Sequence, residues 1–288
     1  MTSLSVMGVG KIGGEVAYLA SVLGIADEIC LYDIDTALSR AQMLDILHTG
    51  IDLSISTDPE DISGADIAVF SAGMGRTPDV RTRADLLMVN LPAVNECAAF
   101  LEDYSGVLIT ITNPMDANNY YFHHHCGIPR ERCIGFGGQL DTARFGGYLT
   151  EYGILGDAWV LGEHGEHQVP LFSCLSEDVP EGTRNEILGK MRRSSMEVIR
   201  GKGGTVFGPA WHIANLVRIV AEDAHAVVPV SCILNGEYGV SGCSLGIPAR
   251  IGRRGIEEII EWKLDEWEQA HFMEAAAASC ALCRRADE

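Results

Sequence analysis

The stretch Gly8-Val9-Gly10-Lys11-Ile12-Gly13 constrains the fold of this chain more than any other. It follows the apolar run Leu4–Met7. It precedes Ile12–Leu23, where Val16, Leu19, Ala20 and Leu23 fall at helical spacing. A strand that turns on glycines into a helix opens a parallel βαβ unit. The first glycine permits a tight turn, the second lets backbone approach a pyrophosphate, and the third lets the helix pack on the strand. The helix start then offers free N–H groups and the positive end of its dipole to phosphates. A glycine turn alone is a weak signal. Here Asp33 follows Gly13 by 20 residues, at the end of the β-rich run Glu28–Tyr32. Its carboxylate would accept hydrogen bonds from a ribose diol and repel a 2′-phosphate, with Asp35 adding to the repulsion. The expected cofactor is therefore NAD, held by Gly8, Gly10, Lys11, Ile12, Gly13 and Asp33.

The same alternation continues. Thr36–Leu47 reads as a helix, Ile67–Ser71 as a strand and Ala84–Leu101 as a helix that Pro92 kinks or restarts. Val107–Ile111 is a strand, Asn113-Pro114 opens another helix, and Cys133–Gly135 is a short strand. This pattern predicts a parallel sheet covered by helices. Beyond residue 150 it changes. Ala158–Leu161 and Val169–Ser173 read as strands, Arg184–Arg200 and Ala210–Ala221 as helices. Val227–Leu234 and Ser244–Arg250 read as strands around the turn Asn235–Gly239. Ile256–Cys283 reads as one long amphipathic helix. This half is α+β, so a boundary is expected near residues 140–150. With no Pro/Ser-rich linker there, the two parts should pack closely.

Composition narrows the function classes. Lys plus Arg is 21 and Asp plus Glu 40, a formal net charge of −19. Such a surface repels nucleic-acid backbones and anionic membranes, so neither is an expected partner. Scarce lysine beside this acid excess fits a salt-adapted surface or ordinary solubility, and the sequence leaves both open. No apolar run reaches the roughly 18 residues of a membrane span, and no basic leader precedes the first strand. The nine cysteines are an odd, scattered set, mostly in apolar segments, as expected of reduced thiols in the cytoplasm. Cys280 and Cys283 form a CxxC on a predicted helix, without the second pair that a metal site would want. His123, His124 and His125 with Cys126 end a helix before Gly127-Ile128-Pro129. Three adjacent histidines cannot share one helix face, so a surface terminus is expected and no metal.

Three polar clusters remain. Ser71–Leu86 leaves a strand end and carries Arg76, Arg81 and Arg83. Asp141 and Arg144 lie three apart and share one helix face. Gly162-Glu163-His164-Gly165 sets a histidine between glycines, free to be held in a cleft. The order of these motifs, with Asn113-Pro114, Asn235-Gly236-Glu237-Tyr238-Gly239 and Gly246-Ile247-Pro248, resembles the lactate/malate dehydrogenase family over essentially the whole chain. The resemblance implies an α/β fold. An N-terminal Rossmann doubly wound parallel sheet would occupy residues 1–142 and a C-terminal α+β substrate domain residues 143–288.

It also implies roles that fit the chemistry. His164 would exchange a proton with a 2-hydroxyl while hydride passes to the nicotinamide. Asp141 would hold and charge-stabilise the imidazole. Arg144 would grip the substrate carboxylate as a planar fork, and Arg83 would polarise the reacting carbonyl. Asn113 would bond the same oxygen or the nicotinamide ribose, and Asn90 belongs to the expected cofactor set. The family reads its substrate with one loop residue. Arg76 looks like that residue and implies a small dicarboxylate, (S)-malate or oxaloacetate, with lactate or another 2-hydroxy acid as the alternative. The loop is one residue longer than the family's usual, so Arg81 is a second candidate. The family also implies self-association to a dimer or tetramer.

Overall fold

The computed structural model describes residues 1–75 and 82–287. Six strands alternate with five helices in the first half: β1 (Ser3–Met7), α1 (Lys11–Val22), β2 (Glu28–Tyr32), α2 (Thr36–Leu47), β3 (Ser54–Ser56), β4 (Ile67–Phe70), α3 (Arg83–Ala98), β5 (Val107–Thr110), α4 (Met115–Cys126), β6 (Cys133–Gly135) and α5 (Gly138–Tyr152). The strands pair in parallel in the order β3-β2-β1-β4-β5-β6. This is the doubly wound order, in which the chain reverses direction between β1 and β4. Ligands of such sheets bind outside the carboxyl ends of the strands at that reversal. Gly8 leaves β1 there, and Ser71 leaves β4 beside it.

Local chemistry starts the helices where the sequence allows. Asp35 caps α2 by accepting from the backbone N–H groups of Ala37 and Leu38. Thr82 and Asp85 form a reciprocal capping box at the head of α3. That helix runs unbroken through Pro92, so Pro92 does not mark a new start. Buried Leu86, Leu87, Val94 and Cys97 tie both its halves to the core and outweigh the lost backbone bond.

The second half comprises β7 (Val160–Gly162), β8 (Gln168–Pro170), α6 (Glu181–Lys202), α7 (Phe207–Ala221), β9 (Ala226–Asn235), β10 (Ser241–Gly252), β11 (Gly255–Ile259) and α8 (Glu266–Asp287). Its strands are antiparallel and extend the same sheet through β6-β9-β10-β7-β8, with Gly135 opposite Ser231 at the join. The division expected between residues 142 and 143 falls inside α5, a continuous helix.

The long helix expected over Ile256–Cys283 is a strand followed by a shorter helix. Gly255 takes φ +96° and turns the chain back, so Ile256–Ile259 pair with β10. Sheet pairing there overrides the helical spacing. The helix begins only at Glu266, where Asp265 and Glu268 each accept the other's backbone N–H. The layers are bridged as well. Val16, Ala17 and Ala20 of α1 share one apolar core with Ile213, Val217 and Val220 of α7. The histidine tract ends α4 at the surface, where His124 and His125 approach Asp287.

Candidate active site

The glycine turn is as crowded as its sequence implies. Gly8 takes φ +89°, and a Cβ on it would lie 2.3 Å from the Ala72 backbone. A Cβ on Gly13 would lie 1.9 Å from the Gly8 carbonyl oxygen, which also accepts from Ser71 Oγ at 2.6 Å. Only glycine lets β1, β4 and α1 meet this closely. Gly10 is different, because a Cβ there would meet no atom of the chain within 4 Å. Its bareness serves nothing internal and fits backbone that a ligand must reach. No side chain caps α1 at Gly10, and its first turn carries no acid, so the helix end suits an anion. Lys11 is exposed beside it, and Ile12 lines the neighbouring cavity. Asp33 is half-buried at the end of β2 and accepts from the backbone of Val9 at 3.0 Å and Asp35 at 3.1 Å. These residues fit a dinucleotide.

A cavity of about 400 Å³ lies next to this turn, lined by Ile12, Gly73, Asn113, Arg144 and His164 among others. His164 follows β7 and turns its ring onto the first turn of α5. Gly137 makes room for it, since a Cβ there would sit 2.3 Å from the imidazole Cγ. His164 Nδ1 is 2.7 Å from Asp141 Oδ2, and Arg144 Nη1 donates to Asp141 Oδ1 at 3.0 Å. His164 Nε2 has no partner among the described residues. Burial pushes the Asp141 carboxyl up, but His164, Arg144 and Gln168 together hold it below the ordinary range. Burial likewise pushes the imidazole down, and the Asp141 charge and hydrogen bond overcome it, so His164 titrates above an ordinary histidine.

Arg83 lies at the mouth of the same cavity, over Gly165, whose missing side chain leaves room for the guanidinium. It does not stand alone. Its Nε pairs with Glu163 at 3.0 Å, its Nη2 donates to the His164 carbonyl at 2.8 Å, and Nη1 reaches Asn113 Oδ1 at 3.5 Å. Asn90, expected in the cofactor set, lies on α3 behind the strand-end loops. It is fully buried, and its amide bonds the backbone of Met74 and the carbonyl of Asn113. It therefore braces the strand-end loops behind the cavity. Arg76 and Arg81 lie outside the described residues.

Other residues complete the site, and all but Thr205, which follows the Gly203-Gly204 pair, lack a sequence signal of their own. Buried Glu163 also accepts from the backbone of Glu166 and His167, which fixes the turn around His164. Asp116 accepts the His164 backbone N–H at 3.1 Å and the Ser231 hydroxyl. Burial and the nearby Glu163 push its carboxyl up to about 6. From α6, Arg192, Ser195 and Met196 form a wall of the cavity, and Thr205 joins it. Asp116 is legible only as the third residue after Asn113. The α6 residues read from sequence as an ordinary amphipathic helix.

A doubly wound sheet with a bare glycine turn, a strand-end aspartate and an adjoining histidine–aspartate pair defines an NAD-dependent oxidoreductase. The chain belongs to the lactate/malate dehydrogenase family: residues 2–135 match its NAD binding domain and residues 139–279 its alpha/beta C-terminal domain. It is 36% identical to a malate dehydrogenase of Natronomonas pharaonis, covering 96% of each chain. It is 33% identical to an L-lactate dehydrogenase of Geobacillus thermodenitrificans, over 95% of this chain and 94% of that one. Its structure overlays the malate dehydrogenase of Archaeoglobus fulgidus, solved in complex with NADH, with a TM-score of 0.90 at 30% identity over the full length of both.

Proposed function

We propose that this protein interconverts (S)-malate and oxaloacetate with NAD. The observation that carries the chemistry is the His164–Asp141 pair at 2.7 Å with Arg144 on the same carboxylate, where His164 and Arg144 line one cavity beside the glycine turn. A bound nicotinamide would supply the hydride donor and acceptor for the substrate's C2. Gly8, Gly10, Lys11, Ile12 and Gly13 would seat the pyrophosphate, and Asp33 the adenosine ribose. His164 Nε2 takes the 2-hydroxyl proton during oxidation and returns it during reduction. Asp141 stabilises the imidazolium that forms. Arg144 presents its guanidinium to the C1 carboxylate. Arg83 and Asn113 sit where they can bond the C2 oxygen as its charge changes. Met1 to residue 142 would carry the cofactor and residues 143–288 most of the substrate contacts.

Arg76 supports the dicarboxylate reading by resemblance, with Arg81 the alternative reader of the distal carboxylate. The 36% identity to a malate dehydrogenase supports it from relatives. An arginine left facing the methyl of pyruvate would stand unpaired, at a cost of roughly 2–5 kcal/mol. The nine free thiols fit the reducing cytoplasm, and self-association to a dimer or tetramer is part of the proposal. One assay decides the substrate: purified protein with oxaloacetate or pyruvate against NADH or NADPH. Preference for oxaloacetate with NADH is expected. A pyruvate preference overturns the malate reading and leaves the acid/base chemistry standing.

A further inference from the structure

Away from the active site, two thiols from different elements meet. Cys243 sits in β10 and is fully buried, whereas Cys280 on α8 is partly exposed. Their sulfurs are 2.7 Å apart. That is inside the ordinary contact distance of two sulfur atoms and near the roughly 2.0 Å of a bond. The sequence pairs Cys280 with Cys283 as a CxxC, but the fold separates them. Cys283 turns inward, against Ser279 and the Asp116 carbonyl. Cys280 instead faces β10, where it also lies 3.8 Å from the Ser241 carbonyl oxygen.

The two sulfurs are also chemically unequal. Contact with Cys243 draws the Cys280 thiol below the ordinary range, and the Arg284 guanidinium one turn on adds to this. Cys243 is pushed the other way, by that same contact and by burial. One partner is thus a partly exposed, thiolate-prone nucleophile, and the other is a buried thiol within reach of it. This is the arrangement of an attacking and a resolving cysteine.

We propose that Cys243 and Cys280 form a reversible disulfide, with Cys280 reacting first with a hydroperoxide. The Cys280 thiolate attacks the terminal peroxide oxygen, the O–O bond breaks, and the alkoxide or hydroxide leaves and takes up a proton. Cys280 is now a sulfenic acid, oxidised by two electrons, and the peroxide is reduced. The Cys243 sulfur then attacks the Cys280 sulfur, and the departing hydroxide takes the Cys243 proton and leaves as water. Two thiols and one peroxide thus give one disulfide, water and the alcohol or a second water. A dithiol reverses the change by exchange. The bond would tie α8 to β10 across 37 residues of chain, which restricts the unfolded ensemble.

The test is non-reducing peptide mapping of wild-type protein treated with hydrogen peroxide and then alkylated. The expected result is a Cys243–Cys280 cross-linked peptide that dithiothreitol releases. The oxidised protein should melt higher than the reduced form by about 5–10 °C. That rise should vanish in Cys280→Ser and persist in Cys283→Ser. Cys280→Ser changes a partly exposed position, and the wild-type map needs no variant to fold. A Cys280–Cys283 link, a Cys280 sulfinic acid without a cross-link, a disulfide between two chains, or nine unchanged thiols would each overturn the proposal.

Discussion

Replacing Asp141 by Asn keeps the shape of the His164 pair and removes its charge. The two side chains touch at 2.7 Å and are only 16% and 2% exposed, so water screens little of their interaction. Burial alone pushes the imidazole down, and the carboxylate reverses that push. Losing an opposite charge at this range lowers the histidine pKa by about one to three pH units, or roughly 1–4 kcal/mol off the imidazolium. The sign decides the assay. Reduction of oxaloacetate consumes a proton from the imidazolium, so a lowered pKa empties the acid form at neutral pH. At that pH, kcat/KM for oxaloacetate with NADH should fall by about 10- to 10³-fold in Asp141→Asn. The alkaline limb of the pH profile should move down by the same one to three units. NADH affinity, read by its fluorescence, should not change, because Asp141 lies away from the glycine turn. An alkaline limb that stays at its wild-type pH while the rate falls would refute the electrostatic account and leave Asp141 a purely geometric role.

The two inner glycines should separate folding from binding. Gly10→Ala should keep the wild-type melting temperature and lose NADH affinity, whereas Gly13→Ala should lose both, by about 1–3 kcal/mol in stability; equal melting temperatures would contradict the 1.9 Å contact. Arg144→Met should raise KM for oxaloacetate by about 30-fold or more, the effect of losing a paired carboxylate contact in a closed site. A KM within twofold of wild type would remove Arg144 from the substrate. Asp116 ties pH to stability. Its folded value of about 6 exceeds the ordinary 3.8, so the folded state binds the extra proton and stability declines as pH rises between those values. Denaturant titrations of wild type should therefore lose roughly 3 kcal/mol relative to Asp116→Asn across that window, and a constant difference would show that Asp116 titrates alike in the folded and unfolded chains.

The glycine turn, Asp33 and five of the first six strands were legible because each depends on local spacing, whereas the three-residue β3 (Ser54–Ser56) is too short to show a period. A tight turn, a strand end and a 3.6-residue stripe all announce themselves within a few residues. The His164, Asp141 and Arg144 set was legible through resemblance, and its contact at 2.7 Å joins residues 23 apart in the chain. What stayed hidden is what the tertiary fold alone brings together. Glu163 reads as one acid among 40, yet it neutralises Arg83 and pins the turn beside His164. Ser231 and Asp116 are 115 residues apart and meet only because β9 docks on β6. The strand β11 was mistaken for helix because Ile256, Ile259 and Ile260 suit either period, and the partner strand that decides between them is distant in sequence. Two cleft arginines, Arg83 and Arg144, each stand against a buried carboxylate, and of these pairings only Arg144 with Asp141 is local in sequence.

The placement of α7 bears on how such a protein could be cut and recombined. By chain position this helix belongs with the substrate half, but in space it roofs α1 of the cofactor half. A fragment ended at residue 142 would bare the apolar side of α1 and leave β6 with an open edge, the two features that promote aggregation. A chimera that exchanged cofactor modules at that point would inherit one protein's α1 and another's α7, and their side chains would have to be matched as a single unit. The heritable module is therefore spatial rather than sequential, and a graft that carries residues 207–221 along with the glycine turn should fold where a simple cut-and-join fails.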